Sequence, residues 1–211
     1  MRMRNLPWAK DYLNEHDVVI KDAEQKAGSW KQFLNCDVLH VEIGTGKGDY
    51  WTKMSSMYPQ FGWIGIEKNT SVAALAVKKY DGLENKNSHM AFIQEDAADI
   101  SKWFGEKEID VIHLNFSDPW PKKRAHKKRL SSDSFIKMYD QVLADDGEIQ
   151  MKTDNEQLFE FSILAFQNAG WKLIDFTVNY RRDQHDEDAI TEYETRFMNL
   201  GQPIFRAVWK R

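Results

Sequence analysis

At 211 residues, 42% hydrophobic and 29% charged, the chain has the size and composition of one ordinary globular domain with room for a full core. The single Cys36 excludes an internal disulfide and fits a reducing compartment. No apolar run reaches the length of a leader peptide or a membrane span, so a cytoplasmic protein with no membrane partner is expected. The net charge of -4 speaks against a nucleic-acid partner until its distribution is considered. Lys122, Lys123, Arg124, Lys127, Lys128 and Arg129 are six of the 29 cations, and the remaining 23 face 33 acidic residues. An acidic body with one basic segment focuses a polyanion on that segment.

In chain order, residues 1–34 read as an N-terminal arm, carrying Arg2, Arg4, Pro7 and Trp8, followed by a short helix from Trp30 to Leu34 capped by Ser29. The arm either orders on binding or packs Trp8 on the core. Val38 to Ile43 is a β-branched strand that runs into Gly44-Thr-Gly-Lys-Gly48 and a helix ending near Tyr58-Pro59. Phe61 to Ile66 is a second strand closed by Glu67, and Asn69 caps an alanine-rich helix toward Tyr80. Met90 to Ile93, before Glu95-Asp96, is a third strand, and Ile109 to Leu114 a fourth. The fourth strand leads into Asn115-Phe-Ser-Asp-Pro-Trp-Pro-Lys-Lys-Arg-Ala-His-Lys-Lys-Arg-Leu130, where a carboxylate between aromatic and proline residues is followed at once by the basic segment. Then come a helix from Ser132 to Leu143, a turn at Asp145-Asp-Gly147, a strand from Glu148 to Lys152 ending at Thr153-Asp154, and a helix from Glu156 to Ala169 stopped by Gly170. Trp171 to Val178 is a sixth strand, a polar loop runs from Asn179 to Asp188, and Phe205 to Trp209 supplies a last strand. Alternating strands and helices predict a single α/β domain over 1–211: a doubly wound, mainly parallel seven-stranded sheet with helices on both faces.

Ligands of such sheets bind beyond the carboxyl ends of the strands. The phosphate-cradling loop is ruled out, because Val41 stands where its first glycine is needed and Gly48 where Ser or Thr is needed. The dinucleotide fingerprint fails at Asp49, where its third glycine belongs. Carboxylates at Glu42 and Asp49 would repel a pyrophosphate, so a cofactor with hydroxyls and a cation but no phosphate fits better. S-adenosylmethionine meets that description. Glu67 is placed for ribose hydroxyls, Asp96 for the adenine amine, and Glu42 and Asp118 for the ammonium and sulfonium, with Gly44 and Gly46 allowing close backbone approach.

Val41-Glu-Ile-Gly-Thr-Gly-Lys-Gly48, Ile64-Gly-Ile-Glu67, Ser117-Asp-Pro-Trp-Pro-Lys-Lys-Arg124, Lys152-Thr-Asp154 and Thr191-Glu-Tyr-Glu194 together resemble the bacterial tRNA (guanine-N7)-methyltransferases across almost the whole chain. The resemblance implies methyl transfer from S-adenosylmethionine to N7 of the variable-loop guanosine of tRNA. It implies a cofactor held by Glu42, Glu67, Asp96 and Asp118. It places the target nucleoside at Lys122, Asp154, Thr191, Glu192, Tyr193 and Glu194, and RNA contacts at Lys123, Arg124, Ala125, His126, Lys127, Lys128 and Arg129. In this chain Ala125 occupies the place after the arginine where the family commonly has His, and His126 follows it.

Guanine N7 carries a lone pair and no proton, so the reaction needs alignment and a negative group rather than a base, a role that suits Asp118. Asp154 and Glu194 can accept from guanine N1–H and N2–H₂, although Asp154 could equally cap the helix after it. Trp120 and Tyr193 could stack on an extruded base or pack in the core. Lys127, Lys128 and Arg129 are expected to meet phosphates. Two other classes stay open: an exocyclic-amine methyltransferase, because Asp118-Pro-Trp resembles the Asp-Pro-Pro-aromatic motif of those enzymes, and an RNA-binding module without catalysis. His113, His126 and His185 are scattered, so no metal is expected, and monomer and homodimer are both open.

Overall fold

The computed structural model describes residues 5–211, so Arg2 and Arg4 of the expected arm lie outside the described residues. Seven strands form one sheet in the order β3-β2-β1-β4-β5-β7-β6. The strands are β1 (Leu39–Ile43), β2 (Gly62–Ile66), β3 (Met90–Ile93), β4 (Ile109–Asn115), β5 (Leu143–Thr153), β6 (Lys172–Thr177) and β7 (Phe205–Lys210). The first five are parallel, and β7 runs antiparallel to both β5 and β6. β2 and β3 are buried throughout, as parallel strands covered on both faces are.

The pleat sends alternate residues into two separate cores. Trp63 and Phe92 join residues of α1 (Ala9–Glu15), α3 (Asp49–Met57) and α4 (Thr70–Asp81). Ile64, Ile66, Ala91 and Ile93 join α2 (Trp30–Phe33), α5 (Ile100–Trp103), α6 (Asp133–Val142) and α7 (Glu156–Asn168). The last helix, α8 (Glu192–Asn199), lies between β6 and β7 in sequence. Among the described residues no helix is long and apolar enough to cross a membrane. The strand order reverses between β1 and β4, which opens a crevice at their carboxyl ends.

Three local features differ from the sequence reading. The segment before β1 is not a loose arm: α1 packs on α4, and the Leu6 amide donates to Ser71 Oγ at 2.9 Å. Trp8 stays partly exposed with the Lys78 ammonium 5.7 Å from its ring. The expected turn at 145–147 is an irregularity inside β5, whose first residue pairs with Ile109 before the register shifts and Glu148 pairs with Val111. Gly147 is needed there, since a Cβ would lie 2.7 Å from Leu143 Cγ. Ser29 precedes α2 without capping it, its hydroxyl donating to the Lys26 carbonyl. Glu108, at the start of β4, does that work from 78 residues away: it accepts from Trp30 N at 2.6 Å, Gly28 N at 2.8 Å and Gly105 N at 2.7 Å. Removing a buried acceptor strands its donors at about 1–3 kcal/mol. Glu108→Ala is therefore expected to lower the unfolding free energy by about that amount, read as a lower urea midpoint at an unchanged slope, and a midpoint equal to wild type would show that water satisfies the three amides.

Candidate functional site

The glycine loop folds over the end of β2. Gly44 N and Thr45 N both donate to the Ile66 carbonyl, at 2.8 and 3.0 Å, and Gly46 N donates to Glu67 Oε2 at 3.2 Å. Gly48 starts α3 with φ 79°, and a Cβ there would lie 2.9 Å from Ala76 Cα, so only glycine lets α3 and α4 come this close. The loop forms the floor of a cavity of about 590 Å³. Glu42, Gly44, Gly46, Glu67, Asp96 and Asp118 all line it, and so do Thr191, Glu192 and Tyr193 from the start of α8.

Glu42 is 2% exposed. Its Oε1 accepts from Asn115 Nδ2 at 3.1 Å, while Oε2 has no partner among the described residues. Burial pushes this carboxyl up to about 8, against the pull of the Asn115 amide and the Lys152 ammonium. Glu67 accepts from Gly46 N and, at 2.8 Å, from Asn69 N, but burial still raises it. Asn69 caps α4 through Val72 N, as its sequence position implied. Asp96 is exposed and caps the turn after β3 through Ala98 N. An unpartnered buried carboxylate oxygen beside two strand-end carboxylates fits a ligand with an ammonium and hydroxyls.

Asp118 sits on a constrained loop. Phe116 and Trp120, on either side of it, have φ of 50° and 41°, a left-handed conformation that costs a non-glycine residue about 1–3 kcal/mol and is found where surrounding structure enforces it. Phe116 packs against Tyr193 at 5.0 Å between ring centroids, which joins this loop to α8. Tyr193 is 46% exposed and feels the charges of Asp154 and Asp118 after burial itself, all raising its pKa. Asp154 is half-buried and raised by burial, and it does not cap α7, because Asn155 accepts from Leu158 N at 2.8 Å. Its carboxylate remains available.

Glu194 was expected at the guanine edge, and the structure puts it elsewhere. It is fully buried below the cavity wall, with Oε1 accepting from Arg181 Nε at 2.7 Å and Oε2 facing Lys152 Nζ at 3.4 Å. Thr191 and Glu194 also form a capping box, with Thr191 Oγ1 accepting from Glu194 N at 3.0 Å. Asp188 closes the set, 2.6 Å from Lys152 and 2.5 Å from Arg181, and receives the Tyr50 hydroxyl at 3.0 Å. Nothing in local spacing marked Arg181, Asp188, Tyr50 or Asn115. Asp49 was likewise missed as a clamp: it accepts from Glu192 N at 2.6 Å while pairing with Lys79 and Lys53.

In the basic segment Lys122, Lys123, Arg124 and Lys127 are exposed, and residues Lys123–Lys128 form a 3₁₀ turn. Ala125 and His126 are half-buried, with the His126 ring 5.5 Å from that of Phe161. Lys128 lies over Trp120 at 4.8 Å and reaches the cavity wall, as does Arg196 of α8. Arg129 departs from the expected phosphate contact. It is 3% exposed, donates Nε–H to the Pro119 carbonyl at 2.8 Å and lies 4.4 Å over Phe161, so its Nε–H is already taken.

The sheet order, the glycine loop and the strand-end carboxylates define a class I, Rossmann-like methyltransferase, and the comparisons agree. Residues 36–207 match the family model described as "Putative methyltransferase". A 16S rRNA (adenine(1408)-N(1))-methyltransferase from Catenulisporales acidiphilia superposes with a TM-score of 0.62 at 10% identity, over 90% of this chain and 91% of that one. An antibiotic-related methyltransferase gives a TM-score of 0.61 at 16% identity, over 84% and 90%. These two likenesses concern the fold. Sequence relatives narrow the family: proteins named tRNA (guanine-N(7)-)-methyltransferase are 43% identical in Lachnoclostridium phytofermentans, over 99% of this chain and 97% of the relative. The one from Oceanobacillus iheyensis is 41% identical over 98% and 97%. The chain belongs to the tRNA (guanine-N(7)-)-methyltransferase family. S-adenosylmethionine is its cofactor.

Two outcomes follow from this geometry. A ligand ammonium favours the ionised Glu42, which in the empty site stays protonated up to about pH 8. Cofactor binding at pH 7 should therefore release most of about one proton, and affinity should rise with pH and level off above 8. Calorimetry in buffers of different ionisation enthalpy reads the release, which Glu42→Gln should abolish. For stability the sign is opposite: the folded carboxyl holds its proton where the unfolded one has lost it, so the empty protein loses stability as pH rises from the ordinary carboxylate range to about 8. For the buried network, Glu194→Ala leaves two cations underpaired and should cost about 3–5 kcal/mol in a denaturation experiment. Unchanged stability with lost methylation would instead put Glu194 on the base.

Proposed function

We propose that this chain transfers the methyl group of S-adenosylmethionine to N7 of the variable-loop guanosine of tRNA, with Asp118 as the catalytic carboxylate. The observation that carries the residue assignment is that Asp118 lines one cavity with both the strand-end carboxylates and Tyr193 of α8, and that the exposed cations begin four residues after it. The cofactor supplies an electrophilic methyl on a sulfonium. Glu42 accepts the ammonium with its open Oε2, Glu67 and Asp96 accept from ribose and adenine, and the glycine loop lets the ligand lie against backbone. The N7 lone pair forms the new bond as the S–CH₃ bond breaks, so no proton moves and the positive charge passes to the imidazole ring of the base. Asp118 favours charge appearing there.

Guanine is chosen over adenine by its N1–H and N2–H₂ donors. Asp154, freed from capping duty, is the acceptor for them, together with backbone groups at Thr191–Tyr193. Tyr193, tilted against Phe116, offers the stacking face. Lys122, Lys123, Arg124 and Lys127 hold the RNA backbone. With tRNA as the substrate, the cytoplasm is the compartment that also suits the free Cys36.

Incubation with labelled S-adenosylmethionine and unmodified tRNA, followed by nucleoside mass spectrometry, tests the reading. Label at N7 of one variable-loop guanosine is expected, and label on an exocyclic amine would overturn it. Asp118→Asn should keep the fold, bind cofactor more weakly and lower single-turnover methylation by about 10²–10³. Full activity of that variant would remove Asp118 from the mechanism.

A further inference from the structure

We propose that Arg129 is a positioning residue: its buried guanidinium holds the Asp118 loop in the shape that presents the carboxylate to the cavity. It is the one member of the basic segment that is buried, at 3% exposure. Its Nε–H reaches back ten residues to the Pro119 carbonyl at 2.8 Å, directly beside Asp118, and its guanidinium carbon lies 4.4 Å over the Phe161 ring.

The residue can act as a strut because its own backbone is fixed. Arg129 N donates to the His126 carbonyl and Ser132 N to the Arg129 carbonyl, both at 3.0 Å. The next two residues are tied to helices: Tyr139 Oη donates to the Leu130 carbonyl at 2.9 Å, and Ser162 Oγ donates to Ser131 Oγ at 2.7 Å. The loop it holds needs an external partner. Trp120, next to Pro119, keeps a left-handed φ of 41°, and Pro119 has no N–H with which to anchor itself. Lys128 adds a second brace, its ammonium 4.8 Å over the Trp120 ring. Arg suits the position better than Lys, since a planar, weakly hydrated guanidinium can stack on Phe161 and donate in its own plane at once. The segment therefore divides: Lys122 to Lys127 faces the RNA, and Arg129 faces inward to the loop that carries the reacting carboxylate.

The kinetic side of the inference rests on the methyl-transfer reading, and the exchange measurement below does not. Hydrogen exchange followed by mass spectrometry should show Arg129→Met losing protection in peptides spanning 116–122 while peptides of β1 stay protected. In single-turnover methylation at saturating tRNA and cofactor, a displaced Asp118 should cost on the order of 100-fold in rate. The tRNA dissociation constant and its salt slope should stay as in wild type, whereas Lys123→Ala with Lys127→Ala should weaken binding and flatten that slope by about two. Arg129→Lys, which keeps a donor, should recover part of the rate, and Phe161→Leu, which removes the ring beneath the guanidinium, should lower it with binding unchanged. Unchanged protection over 116–122 in Arg129→Met overturns the proposal. So does a variant that loses tRNA affinity and salt slope but keeps its rate at saturation, which would make Arg129 a phosphate contact. If Arg129→Met does not fold, the Arg129→Lys and Phe161→Leu exchange patterns decide, and wild-type protection in both overturns it.

Discussion

The site depends on four charges that are out of water. Lys152, Arg181, Asp188 and Glu194 are each at most 10% exposed at the side chain, and each carboxylate touches both cations. Two acids and two bases in that alternation cancel, which is the condition under which ions can be buried without a prohibitive desolvation cost. The arrangement joins the end of β5 to a loop and a helix start that share no regular hydrogen bonding with it. Hydrophobic contact alone would let that segment slide. Paired charges have a single register, and that register puts Thr191 and Tyr193 opposite the glycine loop. Asp49 completes the fit from the other side by holding Glu192 N, and Lys53 does so by donating to the Ile190 carbonyl at 2.7 Å.

From this docking follows a division of the electrostatic field. The cavity has Glu42, Glu67, Asp96 and Asp118 on its walls, with Lys47, Lys68, Lys128 and Arg196 also lining it, while Lys122, Lys123, Arg124 and Lys127 stand outside it. The cations outside draw a phosphate to the rim, while the buried carboxylates suit a cationic cofactor. The same polarity favours a product base that leaves the reaction positively charged. The net charge of -4 therefore conceals two regions of opposite sign.

The sheet, its glycine loop and the carboxylates at the strand ends were legible because their signals are local: a β-branched run, then glycine or acid, at each of several successive strands. The basic segment was legible as a composition. What it hid was orientation, because Arg129 and Lys127 are chemically alike in sequence and differ only through Phe161 and the Pro119 carbonyl. Glu194 was misplaced for the same kind of reason. Its partners lie 13 and 42 residues away, at Arg181 and Lys152, so no window around it could show that its oxygens were already taken. Asp154 shows the converse: of its two readings the capping one fell, because Asn155, one residue on, is the cap. The turn expected at 145–147 shows that Asp-Asp-Gly marks a break in regular pairing without saying whether the chain reverses there.

The antiparallel strand β7 has a consequence for when the protein becomes competent. It pairs with β5 on one side and β6 on the other, so β6 has no neighbour in the sheet until β7 is in place. The helix carrying Tyr193 is strung between these two edges. During synthesis the cofactor half can close on itself from the order in which it emerges, as consecutive parallel units with local crossovers. The part that carries α8 cannot, since β7 must leave the ribosome before α8 has a fixed frame. The wall of the cavity that α8 supplies is thus framed by the strand made last, after the glycine loop and the parallel strand ends.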